Sequence, residues 1–274
     1  MSESKSKSKV IRPLAGYIGG KWYLRSTICP LLDAIPHKTY VEPFIGMGNV
    51  FLGREKRAPV EVINDRNDDV ATLFRVVQRH PQSLIDAIRW QTGARADYDR
   101  LWRTPAAALT DVERAARFLV LRRLTYSGKD PYEHGFATSA ATFKGFDAPE
   151  TMRRIEAFHA RLARVTIERL DFADILARYD RPATLFYLDP PYWGCCHLYR
   201  DGGFTQARFS ELATALAGLK GRWVMSLNDV ADVREVFGWA ALRTVETRYN
   251  AAVGRGSFAT GELLIGSDKA AIGL

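Results

Sequence analysis

The sequence predicts an α/β protein built on a mainly parallel sheet and interrupted once by a helical insertion. Three observations carry this expectation. Four short runs rich in β-branched and aromatic residues read as buried strands. Helical periodicities lie between and after them. The stretch from about Pro81 to Pro149 then breaks the alternation. With 274 residues, 47% of them hydrophobic, the chain is long enough for a full core, as one large domain or one domain with an insertion.

In chain order, the first strands are Thr39 to Glu42 and Val60 to Ile63. A helix from Asn67 to Val77 follows, with Val70, Leu73, Phe74 and Val77 on one face. The insertion contains helical segments from Ser83 to Trp90 and from Thr110 to Leu124. After them comes a loop from Thr125 to Phe136, rich in turn formers, aromatics and polar groups, a composition common in binding loops. A helix from Glu150 to Val165 leads to a strand from Thr166 to Asp171. The central strand candidate is Thr184 to Leu188. A helix from Thr205 to Leu219 and a strand from Arg222 to Ser226 follow it. Two final strands, around Arg243 to Arg248 and Glu262 to Ile265, flank a glycine-rich hairpin loop from Val253 to Gly261.

Composition narrows the function. The net charge of +8 and pI near 9.5 suit a polyanionic partner, though basicity alone does not require nucleic acid. The three cysteines, Cys29 and the adjacent pair Cys195 and Cys196, fit neither a zinc knuckle nor a disulfide framework, so a reducing cytoplasm is expected. The five histidines form no ligand pair at helical spacing, and no metal site is expected. Residues 1 to 10 read as a polar disordered tail without the apolar core of a signal peptide. No run approaches the length of a membrane span.

The feature richest in chemistry is Asp189-Pro190-Pro191-Tyr192, at the tip of the central strand. It places a carboxylate, a carbonyl with no neighbouring amide donor and a flat ring in one small space. Those groups suit an exocyclic amino group of a nucleobase, so methylation of such a group is the first expectation. Upstream, Glu42-Pro43-Phe44-Ile45-Gly46-Met47-Gly48 leaves a strand with glycines that permit close backbone approach. Asp65 stands 19 residues beyond Gly46 at the tip of the next strand, placed either to accept ribose hydroxyls or to cap the following helix. The glycines do not complete the dinucleotide fingerprint, which favours a nucleoside cofactor without a pyrophosphate. Asp171-Phe172 suits an adenine amino group and ring face, or equally a helix cap with a core phenylalanine.

Taken together, the chain resembles the Dam-like (D12 class, alpha group) DNA adenine N6-methyltransferases. Tyr17-Ile18-Gly19-Gly20-Lys21 is similar to that family's N-terminal aromatic-x-Gly-Gly-Lys element, with Tyr17 where tryptophan is usual. The Glu42 to Gly48 loop, Asn64-Asp65-x-Asn67, Asp171-Phe172 and Asp189 to Tyr192 follow in the family's order. The stretch from Trp223 to Asp229 and Glu262 to Ile265 resembles its later core strands, so the likeness spans roughly residues 11 to 266.

The resemblance implies a Rossmann-like S-adenosylmethionine-dependent methyltransferase sheet, residues 11–80 and 150–274, with an inserted helical target-recognition domain, residues 81–149. It implies S-adenosylmethionine as cofactor, held by Tyr17, Gly20, Lys21, Glu42, Phe44, Gly46, Gly48, Asp65, Asp171, Phe172 and Asp189. Asp189, Pro190, Pro191 and Tyr192 would be catalytic, acting on adenine flipped from double-stranded DNA. Lys21, Arg122, Arg123 and Lys129 are candidates for phosphate contacts, with Tyr126 and Tyr132 near DNA. The insertion departs from the family's target loop, so no recognition sequence is carried over. Cytosine-N4 methylation, an RNA substrate and a non-catalytic DNA-binding scaffold are the alternatives. A cognate restriction endonuclease as partner, a phage-borne enzyme and a stand-alone regulatory methylase all fit the same pattern.

Overall fold

The computed structural model describes residues 11–17, 19–125, 135–137, 145–195, 204–248 and 259–274. The expected tail, most of the 125–136 loop and most of the 253–261 loop lie outside the described residues.

Seven strands form one sheet: β1 (Thr39–Glu42), β2 (Val60–Asn64), β3 (Val165–Glu168), β4 (Thr184–Leu188), β5 (Arg222–Asn228), β6 (Ala241–Arg248) and β7 (Ala259–Gly266). Their order is β3-β2-β1-β4-β5-β7-β6. The pairs from β3 to β5 are parallel, and β7 runs antiparallel to both β5 and β6. The chain therefore winds outward from β1 to β3, then crosses back to β4. That reversal opens a crevice beyond the carboxyl ends of β1 and β4, where sheets of this kind bind ligands.

The helices are α1 (Arg25–Ala34), α2 (Asn49–Gly53), α3 (Asp68–Arg79), α4 (Pro81–Ile88), α5 (Arg95–Arg103), α6 (Asp111–Leu124), α7 (Ala148–Leu162), α8 (Phe172–Tyr179), α9 (Gln206–Ala217) and α10 (Ala231–Val236). The strand pleat divides them between two faces. Tyr40, Ile63, Leu185, Tyr187, Val224 and Leu264 face the cluster that takes α1 to α7. Val41, Val62, Phe186, Leu188, Met225 and Leu263 face the other, which takes α8 to α10. Burial on both faces explains the unbroken apolar runs of the central strands. The result is a mixed α/β fold with helices on both sides of the sheet, consistent with a Rossmann-like methyltransferase core.

Some boundaries differ from expectation. The strand expected over Thr166 to Asp171 ends at Glu168, because Asp171 caps α8 by accepting from the Ala173 amide. The helix expected from Glu150 begins at Ala148, capped by Asp147. Asn67, not Asp65, caps α3 through the Asp69 and Val70 amides. Helices α4 and α6 share one hydrophobic cluster with the sheet, and a Thr110–Glu113 capping box fixes the start of α6. Among the described residues no helix is long and apolar enough to cross a membrane.

Candidate active site

A cavity of about 380 Å³ lies at the topological crevice. Its backbone wall is set by Asn64, a buried residue at the end of β2. The Asn64 side-chain amide donates to the Pro43 and Leu170 carbonyls at 2.8 and 3.1 Å, and its oxygen accepts from the Leu170 amide at 2.8 Å. One side chain thus ties together the loops that follow β1, β2 and β3.

The glycine loop is fixed by a second carboxylate. Asp65 accepts from the Gly46 amide through Oδ2 and from the Asn67 amide through Oδ1, both at 2.9 Å. Burial raises its carboxyl to about 6, against the pull of those two amides. Gly46 adopts φ +49°, and a Cβ there would stand 3.2 Å from the Tyr17 ring. Gly48, with φ +73°, turns the chain into α2. The Tyr17 ring carries the Arg122 guanidinium of α6 at 4.5 Å, so α6 braces this loop.

Glu42, Phe44, Asp171 and Phe172 line the opposite wall with Phe204. Phe44, Phe172 and Phe204 pack with centroids 5.4 to 6.0 Å apart. Arg208 of α9 donates to Asp171 Oδ1 and Oδ2 at 2.6 and 2.5 Å while lying 4.3 Å over the Phe172 ring. Burial opposes ionisation of Asp171, but Arg208 and the Ala173 amide outweigh it and hold the carboxyl below its usual range. Glu42 is buried and accepts from the Tyr40 hydroxyl at 2.6 Å. Burial still lifts its carboxyl to about 8.

The Asp189 tip closes the cavity. Asn228 on β5 accepts from the Trp193 amide at 2.9 Å and donates to the Trp193 carbonyl at 3.2 Å, holding the turn after Tyr192. Asp189 Oδ1 meets Lys21 Nζ at 2.5 Å, and Oδ2 accepts from no described residue. Burial raises this carboxyl to about 6 in spite of Lys21. Lys21 has no exposed side-chain surface. Its ammonium also reaches the Gly19 carbonyl, the Tyr192 hydroxyl and Glu262, at 3.1, 3.2 and 3.3 Å.

The sequence-predicted residues sort as follows. Tyr17, Gly20, Glu42, Phe44, Gly46 and Asp65 line the cavity. So do Asp171, Phe172 and the whole stretch from Asp189 to Tyr192. Lys21 and Gly48 stand behind the wall. The phosphate contact expected of Lys21 is corrected: its buried ammonium serves Asp189. Arg122 is buried, and the half-buried Arg123 donates to the Leu14 carbonyl at 2.9 Å. Tyr126, Lys129 and Tyr132 lie outside the described residues. Sequence reasoning missed the roles of Asn64, Arg208, Asn228 and Glu262. The only signal for Glu262 was an acid opening an apolar strand.

The wall suits a cationic nucleoside. Six acids line it against three arginines, all three of which are paired with those acids. The aromatic cluster offers a flat apolar floor, and Gly46 lets the Tyr17 ring pack directly on the loop backbone. S-adenosylmethionine, with its sulfonium, ammonium, ribose and adenine, fits this donor set.

The profile of the D12 class N6 adenine-specific DNA methyltransferase family matches residues 17–251, and the chain belongs to that family. The DNA adenine methylase of Salmonella typhi is 28% identical over 256 residues, covering 86% of this chain and 88% of that protein. The DNA adenine methylase of Escherichia coli K12 gives the same identity and coverage. That of Vibrio cholerae is 26% identical over 250 residues, with 86% and 88% covered. Family membership supports S-adenosylmethionine-dependent methylation of double-stranded DNA as the activity class.

Proposed function

We propose that the protein methylates the N6 amino group of adenine in double-stranded DNA, acting on a base flipped out of the helix. The observation that carries this reading is the Asp189 tip, whose Oδ2 takes no donor among the described residues and stands at the cavity wall. The adenine amino nitrogen is a weak nucleophile because its lone pair is delocalised into the ring. Asp189 Oδ2 and the Pro190 carbonyl accept its two hydrogens and favour a localised lone pair. Pro191 fixes the turn that aims them, and Tyr192 stacks on the base. When bound, S-adenosylmethionine supplies an electrophilic methyl group. Asp65 would hold its ribose, and Asp171 with Phe172 its adenine. Flipping costs a few kcal/mol of unstacking. Catalysis then rests on positioning and electrostatic preorganisation.

Within this reading, residues 81–149 form the part that reads the target, set into a catalytic domain of residues 11–80 and 150–274. Two contacts support placing that insertion against the site. Arg114 of α6 pairs with Asp68 and Asp69 at the cavity rim, and Arg122 stacks on Tyr17.

The test is direct. Duplex DNA methylated by the protein is digested to nucleosides, and N6-methyladenine is the expected product. Recovery of only N4-methylcytosine, or methylation of RNA alone, sinks the reading. Asp189→Ala is expected to abolish transfer while S-adenosylmethionine at a hundred times its Kd still stabilises the variant by roughly 2.7 kcal/mol.

A further inference from the structure

The antiparallel strand β7 delivers a carboxylate to the back of the Asp189 tip. Glu262 is 1% exposed and opens a run, Leu263 to Ile265, with no exposure at all. Its Oε2 accepts the Tyr192 hydroxyl at 2.6 Å, and its Oε1 lies 3.3 Å from Lys21 Nζ. Lys21 bridges onward to Asp189 Oδ1 at 2.5 Å. A buried acid is a costly choice where an apolar residue would continue the strand. Here the acid touches the two groups that set the geometry and charge of the tip.

We propose that Glu262 is a positioning residue for methyl transfer: it anchors the Tyr192 ring through its hydroxyl and shares the Lys21 ammonium with Asp189. The inference rests on the reading of Asp189 as the acceptor of the substrate amino group. The sharing keeps Lys21 from being committed to Asp189 alone, and the hydroxyl anchor fixes the ring beside the acceptor oxygen.

Among the described residues, the charged and titratable groups around Glu262 are few. Lys21 comes from the N-terminal segment, and Asp189 and Tyr192 come from the β4 tip. Tyr187 on β4 is bonded to Ser226 on β5, and Glu42 stands at the end of β1. Asn228 on β5 and Val245 on β6 are its strand partners. Within this set the Glu262 charge works against Lys21 in setting Asp189.

The experiment compares Glu262→Gln, Glu262→Leu and Tyr192→Phe with the wild type in steady-state methylation across pH. Glu262→Gln keeps an acceptor for the Tyr192 hydroxyl but no charge. Its acid limb of kcat is expected to move to lower pH by about half a unit or more, since a like charge has gone, with KM near wild type. Tyr192→Phe and Glu262→Leu are each expected to lower kcat about tenfold, the equivalent of one positioned hydrogen bond. The double variant that combines Glu262→Leu with Tyr192→Phe should lose little more than either single one. An unmoved acid limb in Glu262→Gln, or additive losses in the double variant, overturns the proposal. Glu262→Gln and Tyr192→Phe are small changes and keep the test intact if Glu262→Leu fails to fold. A wild-type product other than N6-methyladenine would instead count against the base assignment, while the pH and additivity comparisons still read Glu262 on that product.

Discussion

Replacing Lys21 by methionine removes the cation that holds Asp189 ionised while keeping the length of the side chain. Lys21 Nζ is 2.5 Å from Asp189 Oδ1, with no solvent on its side of the pair. With Lys21 present the carboxyl stands at about 6, so at pH 7 it is ionised by about ten to one. An opposite charge at such range lowers a carboxyl by about one to three units. Its loss moves Asp189 up to between about 7 and about 9. The ionised fraction at pH 7 then falls to between about one half and about one in a hundred. Transfer at pH 7 should drop by about two-fold to about a hundred-fold and recover as the pH is raised. The assay is kcat against pH with tritiated S-adenosylmethionine, with cofactor affinity measured separately by calorimetry. Since Lys21 stands behind the cavity wall, that affinity should change little. An acid limb that superimposes on the wild type would refute the argument, because the ion pair would then have no hold on the acceptor.

Three further outcomes are expected. Glu42 sits at about 8, well above its ordinary 4.5, so the folded state binds its proton more tightly than the unfolded chain. Its contribution is present below pH 4.5 and is lost as pH rises through 8, with a slope approaching about 1.4 kcal/mol per unit. Urea unfolding of cofactor-free Glu42→Gln at pH 5, 7 and 9 should show this decline removed; an identical pH dependence would mean that Glu42 is not protonated on folding. Gly46→Ala forces a side chain into φ +49° and 3.2 Å from the Tyr17 ring, a strain of about 1–3 kcal/mol. Cofactor affinity measured by calorimetry should weaken accordingly, and an unchanged Kd would remove this loop from the binding wall. Arg208 occupies the Asp171 oxygens and the Phe172 face expected to receive adenine. Arg208→Ala should therefore tighten S-adenosylmethionine binding several-fold, whereas weaker binding would make the guanidinium itself a ligand contact.

The sheet was legible because its central strands are apolar on both faces and end in polar turns. Thr39 to Glu42 and Thr184 to Leu188 match the strands residue for residue. The short helices α1, α5 and α10 were not read, since fewer than three turns leave little periodicity. The segment after Glu168 was misread because Leu170 adds one more apolar residue to the strand pattern, while Asp171 in fact caps α8 through the Ala173 amide. The same limit applies at the site. Asp189, Asp65 and Asp171 announce themselves by standing at strand tips in recognisable strings. Asn64, Arg208 and Glu262 act through partners at least 21 residues away, and no local pattern encodes such pairings.

Charge at the site follows from this division. The chain carries a net +8, yet the cavity is lined by six acids whose basic neighbours are already paired. Asp189 and Asp65 are each raised to about 6 by burial, so the wall holds these two carboxylates at a cost in free energy, while Glu42 at about 8 keeps its proton at pH 7. A cation entering that wall relieves the cost, whereas a phosphate entering it would add to the repulsion. Basic groups elsewhere on the chain can draw in the DNA backbone without drawing it into the cofactor pocket. The buried Lys21 is the exception that makes the arrangement work at the reacting end. In the proposed mechanism it compensates the one carboxylate that has to stay ionised, and it does so from behind, on the side of Asp189 away from the cavity.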